Sequence, residues 1–353
     1  MFLKNVNLVN FRSYKNISVE LPKDGCLFLG ENGSGKTNFF EALSMVTLGK
    51  SVRGATLREM VNIDEKEANI SGFFEKKSQS IGFSKNNDIF VNINDIKYKS
   101  FSCLYGENGF VYFGVDDIKT VKGIPQEKRQ FLDMIISQTN SDYLQNIINY
   151  RNLIRQRNSV LTNNFNYNLI DIYDKQISNI AVNIINKRKS FFNEIIPVCE
   201  NIYREISGED INIKLEYLPS VEDYSKYYEI LKENIEKDRE LKFTTIGIHR
   251  DNFEFRVKNT KLTAFGSQGQ CKSAAIALKI ASVNYLSKTI ISPIIIIDDA
   301  FSDLDLSRKQ KFFDILNEKK QIFIAVHSVK ELDYYPLVDY FELRKGQMKC
   351  CRK

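Results

Sequence analysis

The stretch Gly30-Glu31-Asn32-Gly33-Ser34-Gly35-Lys36-Thr37 decides the reading of this chain, because an apolar run precedes it and a helical pattern follows it. Cys26, Leu27, Phe28 and Leu29 form the continuous apolar segment of a buried parallel strand, and Phe39, Phe40, Leu43, Val46 and Thr47 recur at helical spacing. The glycines between them have a physical task. Without a Cβ they let backbone N–H groups turn inward around a polyphosphate, while the N-terminus of the next helix adds partial positive charge. The spacing predicts that Lys36 reaches the β- and γ-phosphates and that Thr37 ligates Mg2+. Gly30, Glu31, Asn32, Gly33, Ser34, Gly35, Lys36, Thr37 and Asn38 are the expected nucleotide-binding residues.

Two further segments stand near the C-terminus. Ile294 to Ile297 are four β-branched residues running into Asp298 and Asp299, the pattern of a buried parallel strand that delivers carboxylates at its end. Asp298 fits a Mg2+-organising carboxylate. Asp299 sits where related ATPases commonly carry a glutamate that polarises the attacking water, so Lys36, Asp298 and Asp299 are the expected catalytic residues. Phe265-Gly266-Ser267-Gln268-Gly269-Gln270, ahead of an Ala-rich helical run, resembles an ABC-type signature, and alone it also reads as a serine N-cap on a core helix.

With these motifs in place, the chain resembles the RecF family of bacterial recombination and repair ATPases related to SMC heads. The match includes Asn10-Phe11-Arg12-Ser13-Tyr14, Gly49-Lys50-Ser51-Val52-Arg53, Val121-Lys122-Gly123, Glu127 to Asp133, Tyr150 to Leu153 and Gly247-Ile248-His249-Arg250-Asp251. Asp303-Leu304-Asp305 resembles the D-loop. The resemblance implies an α/β fold: an ABC/SMC-type P-loop ATPase head with a mixed sheet, an antiparallel strand layer and an inserted short helical arm. It also implies slow, DNA-dependent hydrolysis of ATP with Mg2+, and two heads meeting head to tail on duplex, gapped or junction DNA. Ser267, Gly269 and Gln270 of one head would then face the nucleotide of the other, and hydrolysis would release the dimer. Recombinase loading, replication-fork maintenance, the SOS response to DNA damage and RecR-like and RecO-like partners come with the same resemblance. Several positions depart from the family pattern: Ile248 stands where proline is usual, Asn252 replaces an expected aspartate, and Cys271 replaces a polar residue. His327, after the apolar run 322–326, fits either a γ-phosphate sensor or a strand-end cap, and we count it among the nucleotide-binding candidates.

Composition is compatible with this reading. The formal net charge of +6 arises from 50 basic against 44 acidic residues, a mild excess that favours a polyanionic partner without establishing one. Six cysteines show no C-x-x-C pair and only two histidines are present, which points to reduced thiols and away from zinc. No apolar stretch approaches the roughly 18 residues of a membrane helix, and Met1 to Asn5 lack the apolar core of a signal peptide, so a cytoplasmic protein with no membrane partner is expected.

Along the chain, strand-like segments run from Leu3 through 89–93, with breaks at charged or Asn-rich turns. From about Pro125 the period becomes helical. Tyr143, Ile147, Tyr150, Ile154 and Leu161 mark one helix, and Leu169 through Ile195 mark a second after the polar stretch 162–168, which predicts an antiparallel pair. One more helix is expected over 224–239, then a strand through Phe253, Phe255 and Val257 and a turn at Asn259-Thr260. The expected division is head 1–118, arm 119–207 and head 208–353. About 230 positions separate Lys36 from Ser267. That is too long for the alternative, a transport-type ABC ATPase subunit, and too short for the extended coiled coil of an SMC protein. Lys119, Lys122, Lys128, Arg129, Arg151, Arg155, Arg157, Lys187, Arg188 and Lys189 are candidate phosphate contacts, with a solvated face as the ordinary alternative.

Overall fold

The computed structural model describes the chain apart from residues 1, 107, 164, 209–211, 259, 291, 301–305, 317–319, 334, 336, 345–346 and 353, and apart from the side chains of 306, 307 and 352. The D-loop segment 303–305 and part of the turn at 259–260 therefore lie outside the described residues. Contacts group the chain into two compact units, Met1–Asp116 with Val283–Lys353, and Asp117–Ser282. The second unit begins near the expected start of the arm and runs past 207, so that 208–282 pack with the helices.

Fifteen strands are described: β1 (Leu3–Phe11), β2 (Tyr14–Glu20), β3 (Gly25–Leu29), β4 (Glu67–Phe74), β5 (Ser78–Ser84), β6 (Ile89–Ile93), β7 (Ile96–Tyr98), β8 (Phe110–Gly114), β9 (Ile213–Leu218), β10 (Asn252–Val257), β11 (Thr260–Lys261), β12 (Ile294–Asp298), β13 (Gln321–Val326), β14 (Asp339–Arg344) and β15 (Gln347–Arg352). In the first unit one sheet has the order β15-β14-β3-β13-β12-β8, parallel except for the β14–β15 hairpin. The other is antiparallel, β2-β1-β4-β5-β6-β7. Every residue of β3 and β12 is buried, as continuous apolar runs in a sheet covered on both faces must be.

The helix Lys36–Leu48 is enclosed on nearly every side, with Phe39, Phe40, Leu43, Met45 and Val46 fully buried and the polar Glu41, Ser44 and Thr47 buried with them. Phe28 of β3 is the hub beneath it, with ring centroids at 5.0 Å from Phe39, 5.3 Å from Phe40, 5.5 Å from Phe341 and 6.1 Å from Phe323. These contacts fix the helix start against the ends of the parallel strands.

The second unit contains the expected antiparallel helices, Ser141–Thr162 and Tyr167–Ser207, capped by Asn140 and Asn166 through side-chain oxygens. The single helix expected over 224–239 is instead two, Tyr227–Glu233 and Ile235–Leu241. The break falls at Asn234, whose amide donates to Asp238 and to Thr245 Oγ1 at 2.6 Å, a local side-chain competition the hydrophobic period does not register. Burial also removes several candidate phosphate contacts. Arg157 is fully buried between Asp174 and Asp238, Arg188 between Asp133 and Asp251, and Lys128 donates to Phe253 O. Arg129 and Arg151 donate to Asp251 O and Asp133. Lys119, Lys122, Arg151, Arg155, Lys187 and Lys189 remain exposed, Arg151 while paired to Asp133.

Candidate functional site

Parallel register brings the carboxyl ends of four strands to one edge. Ile297 pairs with Phe113 and Ile324, Asp298 with Gly114, and Val326 with Leu29. The loop after β3, the acidic pair at β12, and His327 after β13 therefore meet outside the strand ends, where ligands of open α/β sheets bind. The site is a consequence of strand order.

The loop itself is pinned at both ends. Gly30 N–H donates to Val326 O at 3.1 Å, and Tyr14 Oη donates to Gly35 O at 3.0 Å. Gly35 has φ +112°, and a Cβ there would lie 2.8 Å from Tyr14 Oη, so both conformation and space require glycine. Lys36 Nζ donates to Gly30 O and to Glu31 O, and stands 3.4 Å from His327 Nδ1. Burial lowers its pKa, against the carboxylates of Asp299, Asp298 and Glu331, which favour the charged form. Ser34 Oγ is buried without a hydrogen-bond partner among the described residues.

Asp298 is almost fully buried at the end of β12. Burial raises its pKa, opposed by hydrogen bonds from the Thr37 hydroxyl and from Tyr112 Oη, the latter at 2.9 Å. Thr37 and Asp298 thus bring two oxygen donors together at the foot of the loop, a set suited to Mg2+, which takes oxygen ligands and keeps several waters. Asp299 has φ +58° and accepts from His327 Nε2 at 2.5 Å. The structure therefore brings Lys36, Thr37, Asp298, Asp299 and His327 into one cluster. A groove of about 800 Å³ runs from the loop past His327 to Leu343. Another concavity of about 740 Å³, around Phe83 and Phe90 on the antiparallel sheet, contains no member of the cluster.

Arg53 is a member that sequence reasoning did not assign. It lines the loop pocket beside Lys36 and Asp299 and donates to Asn38 Oδ1 at 3.2 Å, while Asn38 Nδ2 donates to Ser13. The signal was its place in the 49–53 segment. Arg12, by contrast, is held by both oxygens of buried Glu41 and by Glu59 O, which makes it a structural pin of the β1–β2 turn.

Ser267, Gly269 and Gln270 belong to the second unit. Ser267 Oγ accepts from Gln270 N–H at 3.1 Å and Gln270 Oε1 accepts from Ser267 N–H at 3.0 Å, a reciprocal cap on the helix Gln268–Ser287. Ser267 and Gly269 are exposed, whereas the helix behind them is buried through Ala274, Ala277 and Ile280. Both sequence readings of this segment, cap and exposed helix N-terminus, describe the same residues. In the same unit the 247–251 motif forms a buried knot. Asp251 accepts from Arg188, Tyr217, Tyr224 and the Ser220 N–H.

The chain matches the family model described as the RecF/RecN/SMC N-terminal domain over residues 2–334. It is 34% identical to the DNA replication and repair protein RecF of Clostridium beijerinckii, across 99% of this chain and 98% of that one. Identity to the protein of that name from Clostridium botulinum Langeland is 33%, over 95% of each. Among solved structures, the recombination mediator protein RecF-ATP in the RecFOR pathway superposes with a TM-score of 0.90 at 26% identity, covering 99% of this chain and 97% of that one. An Smc head bound to the C-winged helix domain of ScpA gives a TM-score of 0.60 at 15% identity over 100% of this chain and 98% of that one, a likeness of fold.

Proposed function

Since this chain belongs to the RecF family, within the wider RecF/RecN/SMC group, we propose that it is an ATP-hydrolysing clamp of DNA replication and repair, closed by nucleotide and opened by hydrolysis. The observation that carries this reading is the convergence of Lys36, Thr37, Asp298, Asp299 and His327 at the carboxyl ends of β3, β12 and β13. Backbone amides of 30–37 bind the phosphates, and Lys36 exchanges its loop carbonyls for β- and γ-phosphate oxygens. Thr37 and Asp298 would hold Mg2+, which would supply positive charge to the polyphosphate. Asp299, held by His327, takes a proton from water as the water oxygen bonds to the γ-phosphorus. The bridging bond then breaks to leave ADP and phosphate. Arg53 is placed to meet the phosphates from the pocket wall.

Ser267, Gly269 and Gln270 complete the γ-phosphate shell of a second copy, so the ATP-bound state is a homodimer. Duplex and gapped DNA, RecR-like and RecO-like proteins and a cytoplasmic location are the partners and setting this reading entails, with 119–207 as the arm between head segments 1–118 and 208–353. The place of a solved relative, the recombination mediator protein RecF, in the RecFOR pathway supports it. Sizing with and without ATP and gapped DNA tests the whole reading. A doubled mass that requires ATP, and that carries DNA, is expected; a monomer at saturating ATP overturns it.

A further inference from the structure

Asp298 has a neighbour that no motif names. Tyr112 lies on β8, directly beside β12, with Ile296 opposite it in the parallel register and Gly114 opposite Asp298. A tyrosine two residues earlier than the carboxylate's own partner reaches that carboxylate only if its ring leans along the strand, over position 114. The structure places it so. Tyr112 Oη donates to Asp298 Oδ2 at 2.9 Å. A Cβ at position 114 would overlap the Tyr112 ring and stand 3.0 Å from Oη, so the glycine opposite Asp298 is what leaves the ring its path.

We infer that Tyr112 is a positioning residue for the metal site: its hydroxyl, carried across Gly114, fixes the rotamer of Asp298 and occupies Oδ2, leaving the other oxygen to face the metal with Thr37. A carboxylate at a dry strand end has a free torsion about its last bond and two equivalent oxygens. A single donor on one of them selects one orientation and removes the other from competition. Main-chain pairing fixes where Asp298 begins, and the phenol fixes how it ends.

This inference rests on Asp298 being the metal carboxylate, and the test separates the two. The readout is binding, not turnover: Mn2+ affinity by EPR, and fluorescent-ADP affinity as a function of Mg2+, on the full chain. Tyr112→Phe keeps the ring and removes the donor, and is expected to weaken Mn2+ about tenfold in the presence of ADP, the scale of outer-shell losses at metal sites, while metal-free ADP affinity is unchanged. Gly114→Ala displaces the ring and is expected to give the same loss, with no further loss when combined with Tyr112→Phe. Asp298→Asn is the control for the underlying reading. If Asp298→Asn weakens the metal and Tyr112→Phe does not, the positioning role is wrong. If Asp298→Asn itself leaves metal affinity unchanged, the assignment of Asp298 fails instead. Unfolding midpoints of each variant show whether folding has been disturbed, and in that case the conservative Tyr112→Phe alone decides.

Discussion

Lys36 and Asp299 are joined through one imidazole: His327 Nδ1 stands 3.4 Å from the Lys36 ammonium, and its Nε2 is 2.5 Å from Asp299 Oδ1. The ammonium has only donors, so Nδ1 is the accepting nitrogen and Nε2 carries the proton given to Asp299. His327 therefore orients the proposed base while touching the lysine proposed to bind phosphate. His327→Ala is expected to reduce single-turnover hydrolysis by about 10- to 100-fold, below the full effect of losing a general base. Nucleotide affinity should change far less. His327→Gln, which keeps a donor near Asp299, should recover part of the rate.

Asp299→Asn removes the proton acceptor and retains the shape of the cluster. ATP binding should persist and hydrolysis should fall by about 10²- to 10⁴-fold, so dimers on DNA become long-lived. Sedimentation with ATP and DNA checks it, and a variant that stays monomeric with ATP contradicts the proposed role.

Ser267→Arg acts in trans. Loss of the reciprocal cap costs about 1 kcal/mol of helix stability, too little to unfold the unit, while a bulky cation enters the surface proposed to meet the other head. ATP binding by the isolated chain should survive and ATP-dependent dimerisation should fail. Mixing this variant with Lys36→Ala leaves one composite site with both intact halves, and partial recovery of turnover in the mixture is expected.

The clustering of the candidate residues in the first unit was legible because loop, acid pair and His327 each follow an apolar run, and parallel strands end at one edge. The antiparallel layer was legible through alternation at 70–74 and 81–83, while the three-residue, fully exposed β7 carried no such signal. What composition hid were the side chains that a three-dimensional neighbour claims. Arg157 and Arg188 read as candidate phosphate contacts and are committed to Asp174 with Asp238 and to Asp133 with Asp251. Tyr112 carried no assignment in the sequence, and its contact with Asp298 depends on strand order that no local window contains.

Those buried pairs separate two classes of basic residue by experiment. Arg188→Ala removes the guanidinium shared by buried Asp133 and Asp251 and should destabilise the chain by about 3–5 kcal/mol, read from denaturant unfolding. Lys187→Ala and Lys189→Ala remove exposed charges and should leave stability within about 0.5 kcal/mol. If these lysines touch phosphate, each substitution lowers the slope of log affinity for DNA against log salt by about 1; an unchanged slope assigns them to an ordinary solvated face.

His249 predicts the acid limit of the second unit. Its Nε2 faces Thr244 O at 3.0 Å and its Nδ1 meets Tyr150 Oη at 2.8 Å, so the neutral ring donates to a carbonyl and accepts from a phenol. Burial pushes its pKa down from 6.5 to about 4, with Arg250 and Arg129 adding repulsion. Above pH 6.5 the ring is neutral in both folded and unfolded chains. Between pH 6.5 and 4 the unfolded chain takes up the proton and the folded one resists it, so stability falls with falling pH and the loss is complete below the folded value. The expected total is about 3 kcal/mol. Denaturant unfolding at pH 7 and at pH 4.5 captures most of it. His249→Gln, which cannot take up a proton, should be less stable at neutral pH through lost packing and should lose less on acidification; an equal acid loss in both proteins would assign the effect to other groups.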